Sequence, residues 1–102
     1  MLRITTENTR GSASLKLEGK LAGPWVDEAE HAWHKIVEGL SREPVLVDLC
    51  GVTFIDAEGK KLLRWMCEEG AVFASCGPDI TATVEQAKRE AMEELSSRIP
   101  YV

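Results

Sequence analysis

The run Asp56-Ala57-Glu58-Gly59 sets two carboxylates at the head of a segment with helical apolar spacing. An aspartate in that position acts as a helix cap: its carboxylate accepts a backbone N–H from the first turn, here that of Glu58 or Gly59. A glutamate inside the first turn is favoured by the helix dipole. Together with Asp48, the two acids are also the residue types of a general acid–base pair. No accompanying base or nucleophile stands near them, and neither the Gly-x-Gly-x-x-Gly nor the P-loop pattern occurs. The expectation is a binding surface rather than an enzyme.

Beyond the cap, Glu58, Lys61 and Trp65 fall at i, i+3 and i+7, in line along one helix flank, with Arg64 beside them. Tryptophan at the edge of a buried stripe often only covers core. Tryptophan and arginine together are also the usual anchors of protein interfaces. The candidate partner-binding set is therefore Asp56, Ala57, Glu58, Gly59, Lys61, Arg64 and Trp65. His31 and His34 lie three apart with Glu30 and Glu38 nearby. A closed metal site needs more ligands and a supporting shell, so these read as a solvated helix face, and neither metal nor cofactor is expected. Cys50, Cys67 and Cys76 are odd in number and show no C-x-x-C spacing. The expectation is three unpaired thiols in a reducing cytoplasm.

The elements that must position these residues are legible from periodicity. Leu2, Ile4 and Thr6 alternate with polar residues, as do Ala13, Leu15 and Leu17. With turn chemistry from Asn8 to Ser12, they predict a hairpin. Gly23-Pro24 opens a helix whose apolar face is Val26, Ala29, Trp33, Ile36, Val37 and Leu40, ended by Glu43-Pro44. Val45 to Leu49 is a nearly continuous apolar run, read as a strand buried on both faces. Asp56 to Glu69 predicts a second helix burying Leu62, Leu63 and Met66, stopped by Gly70. Ala71 to Ser75 reads as another buried strand, closed by Gly77-Pro78, adjacent and parallel to the Val45–Leu49 strand at the centre of the sheet. From Asp79 to Arg98, Ile80, Val84, Ala87, Ala91, Met92 and Leu95 mark a final helix.

A chain of 102 residues fits one domain spanning 1–102. Hydrophobic residues at 44% and charged residues at 28% are the balance of a folded globule, not of a disordered chain. A net charge of -5 with no basic cluster disfavours nucleic acid. The first residues lack the apolar segment of a signal peptide, and no run approaches the length of a membrane span, so a cytoplasmic protein with no direct membrane insertion is expected. The order β-β-α-β-α-β-α implies an α/β fold, a mixed sheet with helices packed mainly on one face.

Three pieces in this order resemble the STAS family, the domain of bacterial anti-sigma-factor antagonists and of sulfate-transporter tails. They are Leu15-Lys-Leu-Glu-Gly-Lys-Leu21 before the Pro24 helix, Val45-Leu-Val-Asp-Leu-Cys-Gly-Val-Thr-Phe-Ile-Asp56, and Asp56-Ala57-Glu58-Gly59 opening a helix that ends in a glycine turn before a strand. The resemblance spans roughly residues 13–86. It implies a four- to five-stranded sheet and a regulatory, protein-binding function in transcriptional signalling. The implied partner is a kinase-type anti-sigma factor docking on the Asp56 loop and the helix after it. The resemblance departs from the family at its switch motif, usually Asp-Ser-Ser-Gly or Asp-Thr-Ala-Gly. The serine that the partner kinase phosphorylates corresponds to Glu58, and Ala57 precedes it, so the usual phosphorylation switch is not expected. Two other roles fit the same resemblance: a cytoplasmic accessory subunit of an ABC-type lipid transporter, and a small-ligand or nucleotide-sensing module.

Overall fold

The computed structural model describes residues 1–9, 12–38 and 44–98. Along the chain run β1 (Leu2–Thr9), β2 (Ser12–Leu21), α1 (Pro24–Glu38), β3 (Val45–Ile55), α2 (Ala57–Glu68), β4 (Val72–Ala74) and α3 (Pro78–Arg98). The expected order of elements is found. Asn8 belongs to β1 rather than to a turn, because the antiparallel β1–β2 ladder continues from Leu2↔Gly19 to Thr9↔Ser12. Leu40 and Glu43, expected at the end of the first helix, lie outside the described residues.

One four-stranded sheet has the order β1-β2-β3-β4. Strands β2 and β3 pair in parallel, as do β3 and β4, each pair joined by a crossover helix. All three helices pack on the same face. There Leu2, Ala13, Leu15, Leu17, Val45, Val47 and Leu49 meet Ala29, Trp33 and Ile36 of α1, Leu62, Leu63 and Met66 of α2, and Val84 and Ala87 of α3. Trp33 is the largest fully buried side chain, and its indole N–H donates to Glu69 Oε1 at 2.7 Å. That bond satisfies the one polar atom a tryptophan carries into a core.

Three expectations are corrected. Strand β3 is buried on one face only. Its burial alternates, and Leu46, inside the apolar run, is 42% exposed on the helix-free face. Strand β4 is not central. It has three residues, pairs only through Leu46↔Val72, Val47↔Phe73 and Asp48↔Ala74, and lies at the sheet edge with Val72 53% exposed. In α3, Val84, Ala87 and Ala91 are buried as expected, whereas Met92 is 66% exposed, because it is turned about 100° around the helix from Ala91, off the buried stripe. Leu95 falls where no side chain is described.

The thiol expectation is also overturned in part. Cys50 and Cys76 form a disulfide, with Cα atoms 4.7 Å apart, and Cys67 alone is free. The parallel pairing of β3 with β4 carries both residues to the same place. Asp48 is opposite Ala74, so the residues two further along each chain, 50 and 76, arrive side by side.

Candidate functional site

The site begins with irregularity in β3. Between Lys16↔Asp48 and Glu18↔Gly51, and again between Gly19↔Val52 and Lys20↔Phe54, β3 carries one residue more than β2. Such bulges bend a strand and re-aim its side chains. The Asp48 carboxylate accepts the Cys50 N–H at 2.9 Å at the first bulge. At the second, the Thr53 hydroxyl donates to the Gly19 carbonyl at 3.3 Å. The inward positions therefore move from Val45, Val47 and Leu49 to Val52 and Ile55, and the strand delivers Asp56 to the junction of two helix starts.

Asp56 caps α2 in extended backbone geometry, its Oδ1 accepting the Gly59 N–H at 2.8 Å. The sequence anticipates this bond. It does not anticipate the second one, in which Oδ2 accepts the N–H of Gly23 at 2.9 Å, across 33 residues. Gly23 stands just before Pro24, at φ 58, a left-handed conformation that suits glycine. One carboxylate thus ties the entry of α1 to the entry of α2, while the Asp56 N–H donates to the Leu21 carbonyl at 3.2 Å. The Gly23 N–H, and after it the Gly59 N–H, hold the Asp56 carboxyl below its ordinary value of 3.8. Asp56 is an anion committed to structure.

Gly59 is buried beneath this junction. A Cβ there would lie 2.6 Å from the Leu21 carbonyl oxygen and 2.8 Å from Ile55 Cγ2, so the helix start can approach the end of β2 only because position 59 has no side chain. Ala57, Glu58 and Lys61 are exposed above it, with Lys61 Nζ 3.3 Å from Glu58 Oε1.

Glu58, Lys61 and Trp65 form one wall of an open groove of about 460 Å³ between α1 and α2, with Leu62 at its floor. The opposite wall comes from Val26, Asp27, Glu30 and His34. Trp65 is half-buried and packs its ring against His34, with centroids 5.0 Å apart. His34 Nε2 lies 3.8 Å from Glu30 Oε2. His34, read from sequence as one of a histidine pair, is thus an element of the groove, and His31 lines a different surface beside β1. Among the described residues no cluster of potential metal ligands occurs. Arg64 does not line the groove: it turns toward α3, 3.7 Å from Glu90. Sequence reasoning missed the α1 wall because helix periodicity marks what a helix buries, not which neighbour its other flank faces.

The arrangement is a capped helix start, a charged rim and a tryptophan beside an open groove. No protein-family model and no curated protein matches the sequence. Among solved structures, the architecture with all its helices on one face of a mixed sheet has counterparts. The chain is similar to an anti-sigma factor antagonist from Mycobacterium paratuberculosis at TM-score 0.72 and 19% identity, over 98% of this chain and 84% of that one. It is also similar to a structure of Mglu at TM-score 0.55 and 20% identity, over 74% of this chain and 19% of that one. At these identities the likeness is one of fold, and the fold is that of an anti-sigma factor antagonist. Among the described residues no helix is long and apolar enough to cross a membrane.

Proposed function

We propose that this chain is a single-domain, non-enzymatic regulatory module of the anti-sigma-factor-antagonist type, acting in the bacterial cytoplasm. It binds a kinase-type anti-sigma factor through the Asp56 loop and α2, and so frees the sigma factor that partner holds. The observation that supports this most is the conjunction of the antagonist fold with an exposed helix start, at Ala57, Glu58 and Lys61, that opens onto the groove beside Trp65. Position 58 carries a carboxylate and position 57 a methyl group, so the module works without a serine switch. A phosphate there would bring ~2 negative charges and three acceptor oxygens. Glu58 brings one charge, with the Lys61 ammonium beside it.

The test is affinity for a kinase-type anti-sigma factor, measured by titration calorimetry and set beside the unfolding midpoint of each variant. Trp65→Ala is expected to weaken binding by ~2 kcal/mol or more if Trp65 anchors the interface. Glu58→Ser removes the fixed charge and is expected to change affinity while leaving the fold intact, since a first-turn dipole interaction is worth only about 0.3–1 kcal/mol. Unchanged affinity in both variants would remove α2 from the docking surface and leave Asp56 and Glu58 as a helix start alone.

A further inference from the structure

The Cys50–Cys76 bond sits where the sheet edge runs out of backbone pairing. The last β3–β4 pair is Asp48↔Ala74. Beyond it, Ser75, Cys76 and Gly77 lead into α3, which starts at Pro78. At this point the sulfur bridge takes over from the ladder as the tie between β3 and the β4–α3 connection. The connection's other bonds are local: Ser75 Oγ lies 3.0 Å from Thr81 Oγ1, and the Thr81 N–H donates to Gly77 O at 3.2 Å. Neither reaches back to β3. Gly77 sits at φ 82, so the chain turns sharply immediately after the bridge.

Both bridged residues are exposed, open to an approaching thiol. The third cysteine is different. Cys67 is half-buried on α2, and burial pushes its thiol above the ordinary range, which keeps it protonated and slow to attack. The chain therefore pairs a reachable disulfide with an unreactive thiol. In a reducing compartment an exposed disulfide is a transient or redox-sensing feature rather than a permanent staple.

We propose that Cys50–Cys76 is a reversible thiol–disulfide exchange site, a clasp on the open sheet edge that a dithiol reductant opens and a disulfide oxidant closes. A reductant thiolate attacks one sulfur of the bridge, the S–S bond breaks to give a mixed disulfide, and the released cysteine thiolate takes a proton. The second thiol of the reductant then attacks the mixed disulfide, gives up its proton and frees the other cysteine as a thiol. The protein gains two electrons and two protons, and the reductant leaves as its own disulfide. Opening frees the β4–α3 connection from β3. It acts on α2 indirectly, because α3 packs along that helix through Val84 and Ala87 in the shared core and through Glu90 against Arg64.

The inference is independent of the partner's identity, and its test uses the purified full chain alone. The native protein is treated with millimolar dithiothreitol or with glutathione disulfide, alkylated with iodoacetamide under denaturing conditions and weighed. The oxidised chain is expected to carry one adduct, on Cys67, and the reduced chain one on each cysteine. Hydrogen exchange across residues 72–81 is expected to accelerate about tenfold or more on reduction, while residues 13–21 stay protected. Cys67→Ser is expected to keep this response, and Cys50→Ser or Cys76→Ser to show the fast exchange with or without reductant. Should the serine variants fail to fold, the reductant series on the unaltered chain decides. The proposal is overturned if all three thiols remain alkylatable after glutathione disulfide, if dithiothreitol opens the bond only in denaturant, or if reduction leaves exchange at 72–81 unchanged.

Discussion

Gly59→Ala is the substitution for which sequence and structure predict opposite signs. By helix propensity alone, alanine in the first turn of α2 stabilises by up to ~1 kcal/mol, since glycine gives up more backbone freedom on folding. The structure opposes that gain. The added methyl carbon meets the Leu21 carbonyl oxygen at 2.6 Å, Ile55 Cγ2 at 2.8 Å and Leu21 Cγ at 3.2 Å. The first two are short of an ordinary carbon contact, about 3.5 Å, by most of an ångström. The carbonyl cannot swing aside without losing the Asp56 N–H it accepts, and Ile55 belongs to the packed core. The start of α2 must move instead, away from a carboxylate held on its other side by Gly23. Overpacking of this kind costs about 1–3 kcal/mol. With both neighbours fixed the upper end applies, and after the propensity gain a net loss of about 2 kcal/mol remains. For a domain of this size each kcal/mol lowers the melting midpoint by about 4–8 °C. The measurement is urea unfolding followed by tryptophan fluorescence, beside a thermal melt. Lys60→Ala, on the exposed next position, serves as a control expected within about 0.5 kcal/mol of the parent. A Gly59→Ala protein as stable as the parent, or more so, would refute the close approach of α2 to β2 and with it the account of how Asp56 is held.

Trp33→Phe is expected to destabilise by at least about 1.5 kcal/mol, because it deletes a donor to a charged acceptor, while Glu69→Gln keeps an acceptor and costs less; chemical denaturation of the pair checks the order. The Asp56 carboxyl titrates below 3.8 in the folded chain, so its contribution is complete above that pH and is lost as pH falls through the depressed folded value. Unfolding midpoints measured from about pH 5 down to about pH 2 are expected to fall more steeply for the parent than for Asp56→Asn. Val72→Thr, on the exposed sheet edge, is expected to change stability by less than about 0.5 kcal/mol; a loss above about 1 kcal/mol would show that this edge is covered.

Local periodicity made the elements legible and left their surroundings unread. Alternation of period two fixed β1 and β2, since Ala13, Leu15 and Leu17 bury one face and Lys16 is left exposed on the other. Offsets of three and four fixed Leu62, Leu63 and Met66 of α2. The run Val45 to Leu49 misled because an unbroken apolar string has no phase: it fits a strand covered on two faces as well as one that leaves Leu46 half open. The disulfide was hidden for a related reason. Residues 50 and 76 form no motif, and counting cysteines says nothing about which strands are neighbours. Yet the expected parallel pairing of the two strands, once given its register, places the sulfurs together. The missing information was a single integer, the offset between β3 and β4.

Asp56 carries the largest share of what the sequence half disclosed. As a helix cap it is an ordinary local feature, found by asking which side chain stands before the first turn. Its second bond, to Gly23, makes the entry of α1 depend on the entry of α2, and so fixes the spacing of the two walls of the groove. Substitutions at Asp56 and at Glu58 therefore separate two roles. The exposed Glu58 side chain touches only Lys61 among the hydrogen bonds and ion pairs described, so its replacement alters the charge of the rim and little of the frame. Replacing Asp56 by alanine releases both helix starts, and is expected to accelerate hydrogen exchange at Gly23 as well as at Gly59. Exchange that quickens at Gly59 alone would mean that the carboxylate caps α2 without setting the groove, and the walls would then be held apart by the contact between His34 and Trp65.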